Sequence, residues 1–369
     1  MLLNDKSMLS VPNLHPPFFR NPLPVLASFV ILLSVNVLFG EPSPSALPVP
    51  EMYQVTSAAN VADPMTTISF GPYPRILLTQ SDIAPIRQKI KDFGWAKNHF
   101  AGIETKAEQA MADPDLANPV IPNICKLADS AANNACNNDR NTLITKLNDA
   151  LLNLSMAYYF TDKSEQTKTL YAQRAKIIVN SFLNYYRSQP AQPADKICNP
   201  KAGYLFTDIF AESNSIRNFL QAYDLTLGIT TGSSQLIDNT TRSNIKTYML
   251  DRLVQKFQCY TTVFGTTQNK MAGVISTKGL IAIETGNLNL LKEAFSSTTR
   301  KSFIGHLSTD FSSDGYWHEG PGYQYGVVLN AYIKFVEAVW HCGGKTVYEY
   351  KSPVTNLNFI KALNAIPVY

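Results

Sequence analysis

One stretch of this 369-residue chain gathers more reactive side chains than any other. It reads Asp310-Phe311-Ser312-Ser313-Asp314-Gly315-Tyr316-Trp317-His318-Glu319-Gly320-Pro321-Gly322-Tyr323-Gln324-Tyr325. Carboxylates, an imidazole, an indole and phenols stand among glycines and a proline that break regular structure. An apolar run of helical period follows directly. Aromatic faces stack on sugar rings, and carboxylates and amides hydrogen-bond to hydroxyls. Loops held by a rigid scaffold are where such binding residues collect. His318 is the one histidine of five in this loop. His99, His306 and His341 fall in helical sequence and are expected to be structural.

The segment from Asp314, DGYWHEGPGYQYG, resembles the "DG…EGPGY" signature of the heparinase II/III-like and alginate lyase group of polysaccharide lyases. Other landmarks occur in the same order as in that group. Gly71-Pro72-Tyr73-Pro74-Arg75-Ile76-Leu77-Leu78 resembles its opening motif, followed by a helix that carries Arg87. Ala222-Tyr223-Asp224 resembles its helix-ending "AYD". Gln268-Asn269, an apolar helix and then Thr285-Gly286-Asn287 resemble its asparagine region. The similarity covers about Gly71 to Trp340, and the shared order carries more weight than any single motif.

The resemblance implies an α/α toroid and β-elimination on a uronic-acid-containing polysaccharide, alginate or a glycosaminoglycan. The proton on C5 of a uronate is weakly acidic, so an amide or cation must hold the carboxylate while enolate-like charge builds. A base then takes the proton and an acid protonates the departing O4. A phenol does either when positive neighbours draw its pKa down from about 10. By the resemblance Tyr323 is the catalytic tyrosine and Asn269 holds the carboxylate. Glu319, His318, Trp317, Tyr325 and Lys270 are the expected substrate contacts, with Tyr325 the substitute for Tyr323. Lys270 departs from several relatives, which have His or Trp there. The group's further histidine usually comes from a C-terminal β-sandwich, which is not read in this chain, so if that histidine is the base this fragment is expected to be inactive. The same loop supports two other readings. A glycoside hydrolase would use Asp314 and Glu319 as a carboxylate pair about 5–9.5 Å apart. A non-catalytic fragment would only bind carbohydrate. No cofactor is expected, and no cluster of Cys and His predicts a metal.

These residues need a frame, and the apolar period supplies one. Helices are predicted near Trp95–Met111, Asn141–Phe160, Ser164–Tyr186, Thr207–Leu227, Ser234–Phe257, Met271–Glu284, Leu288–Phe303 and Tyr325–Trp340. Leu143, Leu147, Leu151, Leu154 and Tyr158 share one face of the second, and Leu170, Ala175, Ile178, Phe182 and Tyr185 one face of the third. Pro85 suits the first turn of a helix that Thr79 or Ser81 begins. Turns such as Thr161-Asp162-Lys163 and Thr285-Gly286-Asn287 are short enough to fold the helices into αα-hairpins, which must stack to bury their stripes. The expected class is all-α: an incomplete barrel of αα-hairpins, an α/α toroid.

Residues 71–345 form the expected helical domain, and 346–369 continue it, ending without a C-cap or polar tail as a truncated chain would. Residues 41–70, rich in Pro, Ser and Ala, read as a linker. Ahead of it, residues 24–39 are an apolar run of the length of a signal-peptide core or a short anchor. Both place the remainder outside the cytoplasm, secreted, periplasmic or membrane-anchored. Five cysteines suit that address. Cys125 pairs with Cys136, and Cys198 with either Cys259 or Cys342. Asn153 and Asn239 head glycosylation sequons, the first inside a helical pattern and expected to be unused. Charged residues are 16% of the chain, below the usual share of about 25%. The net charge of +4 comes without Lys/Arg runs, which argues against nucleic acid as a partner. An acidic polysaccharide is the expected partner.

Overall fold

A computed structural model describes residues 61–126, 128–192, 197–199, 203–263, 269–296 and 301–365. The apolar run 24–39, most of the linker and Gln268 lie outside the described residues. The described chain is all-α. Its only paired strands are two residues each, β1 (Thr230–Thr231) and β2 (Ser234–Gln235), antiparallel. The helices are α1 (Ile83–Asp92), α2 (Gly94–Ala112), α3 (Ser130–Phe160), α4 (Glu165–Ser188), α5 (Ile209–Leu227), α6 (Asn239–Ile245) and α7 (Asp251–Val263). Then come α8 (Asn269–Thr285), α9 (Leu288–Ser296), α10 (Phe303–Thr309), α11 (Pro321–Tyr323), α12 (Asn330–His341) and α13 (Phe359–Asn364). π-turns at Lys246–Leu250 and Gln324–Leu329 join α6 to α7 and α11 to α12.

Helix α3 packs on α5, α5 on α8, and α8 on α12, so four helices are successive neighbours in one row. The helices between them in sequence pack onto that row: α4 on α3, and α7 and α9 on α8. Every residue of α8 from Met271 to Glu284 is buried, and most of α5 is too. A helix without a solvent stripe belongs at the centre of its neighbours. Gly279 lets α8 approach α12 closely, since a Cβ there would enter the Phe335 ring.

Several expected boundaries move. Helix α3 starts at Ser130, eleven residues before Asn141. Asp129 caps it by accepting from Ala132 N–H at 2.7 Å, and most of the Asn/Ala-rich stretch between Cys125 and Cys136 forms its first turns. The Cys125–Cys136 disulfide therefore ties the preceding segment to the helix, and Cys198 pairs with Cys259, leaving Cys342 as a buried thiol. The span from Ser234 is a hairpin and then a helix that Asp238 caps through Thr241 N–H. Leu170 is exposed, and Tyr171 takes its place in the buried stripe with Ala175, Ile178, Phe182 and Tyr185. The chain is already packed ahead of Gly71. Thr67 Oγ1 donates to Gly343 O at 2.8 Å, Ser69 N–H donates to Cys342 O, and Met65 is buried. Asn153 is buried with its amide donating to Asp149 O, so that sequon is closed, whereas Asn239 is exposed.

The opening motif and the "AYD" landmark meet physically. Asp224, buried at the end of α5, accepts from Arg75 N–H at 2.8 Å and Ile76 N–H at 2.9 Å. The Arg75 guanidinium donates to Glu284 O at 2.9 Å, and so does the Tyr73 hydroxyl. Those bonds satisfy a carbonyl in the last turn of α8. Arg87 donates to Tyr159 O at 2.7 Å and pins α1 to the end of α3.

Candidate functional site

At the other end of α8 the loop before α11 folds over the helix start. The loop is a small hairpin. Phe311 and Trp317 form a bridge, Ser312 N–H donates to Tyr316 O, and Gly315 N–H donates to Ser312 O. Gly315 has φ +91°, and a Cβ there would lie 2.8 Å from Lys361 O. Only glycine suits that conformation and that approach to α13. Gly320, at φ +97°, turns the chain into α11 with Pro321 at its first position.

Glu319 joins the two expected halves of the site. Its Oε2 accepts from Asn269 N–H at 3.0 Å and from the Trp317 indole N–H at 2.9 Å. The first N–H groups of a helix have no partner within it, so a carboxylate there also suits the helix dipole. Lys270, the next residue of α8, sets its ammonium 3.6 Å from Asp208 Oδ2. Asp208 caps α5, its Oδ1 accepting from Phe210 N–H at 2.8 Å. The starts of α5, α8 and α11 are thereby linked side by side. Asn269 and Lys270 are half-buried there, and Tyr323 is 52% exposed on the first turn of α11.

The expected contacts fare differently. Trp317 is 2% exposed, packed edge-on against Phe311 with centroids 5.1 Å apart, and beside His306. Its ring faces are not offered to a sugar, so the expectation of a Trp317 contact is corrected to a supporting role through its N–H. His318 is exposed, with its ring nitrogen Nδ1 3.2 Å from Asp310 O. The Tyr325 hydroxyl donates to Ala365 O at 2.6 Å, and burial followed by the nearby Tyr316 raises its pKa. Its phenolate form is therefore scarcer and its hydroxyl is already committed to a carbonyl, which makes Tyr325 a poor substitute for Tyr323. Beneath the loop, buried His306 Nδ1 lies 2.6 Å from the Tyr332 hydroxyl. Its Nε2 is 3.7 Å from Asp310 Oδ2, which agrees with a structural role for His306.

Sequence reading missed Gln324 and Asp208. Gln324 is fully buried, and its amide holds both arms of the loop and α13. An acid just ahead of an apolar helix is an N-cap signal, so Asp208 was legible as a cap, though not as the partner of Lys270. Among the described residues no group of three or more His, Cys, Asp or Glu side chains is placed to hold a metal. No described helix is long and apolar enough to cross a membrane. No protein-family model matches this chain, and no curated protein matches its sequence.

Proposed function

We propose that the chain is a polysaccharide lyase, cleaving a uronic-acid-containing polysaccharide by β-elimination at the joined ends of α5, α8 and α11. The observation that carries this reading is the Glu319 carboxylate. By holding Asn269 N–H and the Trp317 indole at once, it sets the asparagine and tyrosine elements beside each other. Tyr323, exposed at the mouth, is the proton carrier. Asn269 holds the uronate carboxylate, and Lys270 adds positive potential as charge builds on the substrate. In this reading the row α3–α5–α8–α12, with helices packed onto it, is part of an α/α toroid. The two disulfides suit a protein exported to an oxidising compartment.

A hydrolase acid at Glu319 is less well supported, because its Oε2 is already engaged within the protein by Asn269 N–H and the Trp317 indole N–H. The test is to incubate the full chain with alginate and a set of glycosaminoglycans and to read near-ultraviolet absorbance from unsaturated ends. Tyr323→Phe is expected to lower the rate by at least about 100-fold, the lower end for a lost general base or acid. Its melting temperature should stay unchanged, since the hydroxyl is exposed. Saturated product ends, or full activity of Tyr323→Phe, would sink the proposal.

A further inference from the structure

Farther along α5 lies a second polar constellation that the loop chemistry does not use. Arg217 of α5 is 2% exposed and Lys334 of α12 is 4% exposed. Among the described residues no carboxylate oxygen comes within 4.0 Å of either cation. Arg217 donates to Gly273 O at 3.0 Å and to Asn214 Oδ1 at 2.8 Å, and its Nε has no partner. Lys334 Nζ donates to Asn218 Oδ1 at 2.8 Å. Withdrawing cations from water costs several kcal/mol each unless they are paired, and two like charges together raise that cost. Burial, then the Arg217 charge, pulls the Lys334 pKa down to about 7, opposed by the field of Asp149 on α3. The arrangement is costly for stability alone, which points to a ligand.

The two amides show what kind of ligand. Arginine and lysine side chains only donate hydrogen bonds, so each asparagine must turn its oxygen inward to its cation. The NH2 groups of Asn214 and Asn218 then face away from the cations. Asn214 is exposed and Asn218 half-buried. Four residues apart on one helix, they are neighbours about 6 Å from each other on the same face. The result is a pair of fixed donors with positive charge behind them, a cradle for an oxyanion. It lies six residues beyond Asp208, about 9 Å down α5 from the candidate active end.

We infer that the Asn214–Asn218 face of α5, backed by Arg217 and Lys334, binds the carboxylate of a uronic acid residue. Oxyanion recognition stands on the two amides and the buried cations behind them, while the choice of a uronate rests on the lyase reading. Calorimetric titration of the full chain with glucuronate and with glucose tests it. A monomer has no glycosidic bond to cleave, so the titration reads the site whether or not the chain is a lyase.

Glucuronate is expected to bind at least about tenfold more tightly than glucose. The near-isosteric double variant N214D/N218D should bind it at least about tenfold more weakly than wild type. That variant turns outward donors into acceptors while giving each cation an ionic partner, so its melting temperature should hold or rise. Asn214→Asp alone, at an exposed position, should shift affinity the same way. Undetectable glucuronate binding up to about 10 mM, or binding unchanged in the double variant, overturns the inference.

Discussion

Tyr323 owes its place to the residue after it. Gln324 accepts from Trp317 N–H at 2.9 Å and donates to Gly315 O and Ala362 O, both at 3.1 Å. One side chain thus fixes the loop hairpin, the start of α11 and the underlying α13. Replacing it with leucine strands a buried donor and two buried acceptors, each costing about 1–3 kcal/mol. Gln324→Leu is expected to lower the urea midpoint substantially while the slope of the transition stays constant. A midpoint equal to that of wild type would show that the loop is held by other contacts. The sequence displays Gln324 only as one polar letter between two tyrosines. Its role depends on partners up to 38 residues away, and no local pattern encodes those. Tyr323 and Asn269 stood out because reactive residue types cluster in motifs. Trp317 misled because an indole looks the same whether it faces a sugar or a core.

Helix α8 couples the two ends of the structure. Glu319 caps its first N–H, and Tyr73 and Arg75 occupy a carbonyl of its last turn. The helices themselves were legible, because buried stripes such as Leu147, Leu151 and Leu154 repeat at helical spacing. The early start of α3 was not, since Asn and Ala carry no apolar period, and neither were the π-turns. The knot at the far end was also hidden. There Glu284 is buried beside Asp224, and its Oε2 has no hydrogen-bond partner. Burial, and then the Asp224 charge, push the Glu284 pKa well above the carboxylate range. The folded protein therefore keeps a proton that the unfolded chain releases near pH 4, and stability falls as pH rises beyond that. Glu284→Gln holds the neutral form permanently. Its melting temperature, measured against wild type, should gain as pH rises above about 4, where the unfolded chain releases the proton. A difference that does not vary with pH would mean that Glu284 is as ionised in the folded protein as in the unfolded chain, with the Arg75 side of the knot neutralising it.

Across the whole molecule, charge is set against stability along the row α3–α5–α8–α12. Lys334 faces Arg217 from α5 and feels Asp149 from α3, and its hydrogen-bond acceptor is the neutral Asn218. In the unfolded chain a lysine stays protonated to about pH 10. In the folded protein the pKa of Lys334 falls to about 7. Between those limits the unfolded chain binds more protons, so this group makes stability rise with pH, and below pH 7 its full cost is present. An oxyanion on the Asn214–Asn218 face would offset that cost by favouring the ammonium form, so glucuronate affinity should weaken as pH climbs past 7. Lys334→Met keeps most of the side-chain volume and removes the charge. It should be more stable than wild type by a few kcal/mol at pH 6, with the advantage shrinking by about 1.4 kcal/mol per pH unit above 7. The same variant should lose glucuronate binding at every pH. A Lys334→Met protein that is less stable than wild type at pH 6 and binds glucuronate equally well would place the ammonium in the structural frame and leave the α5 face without its cation.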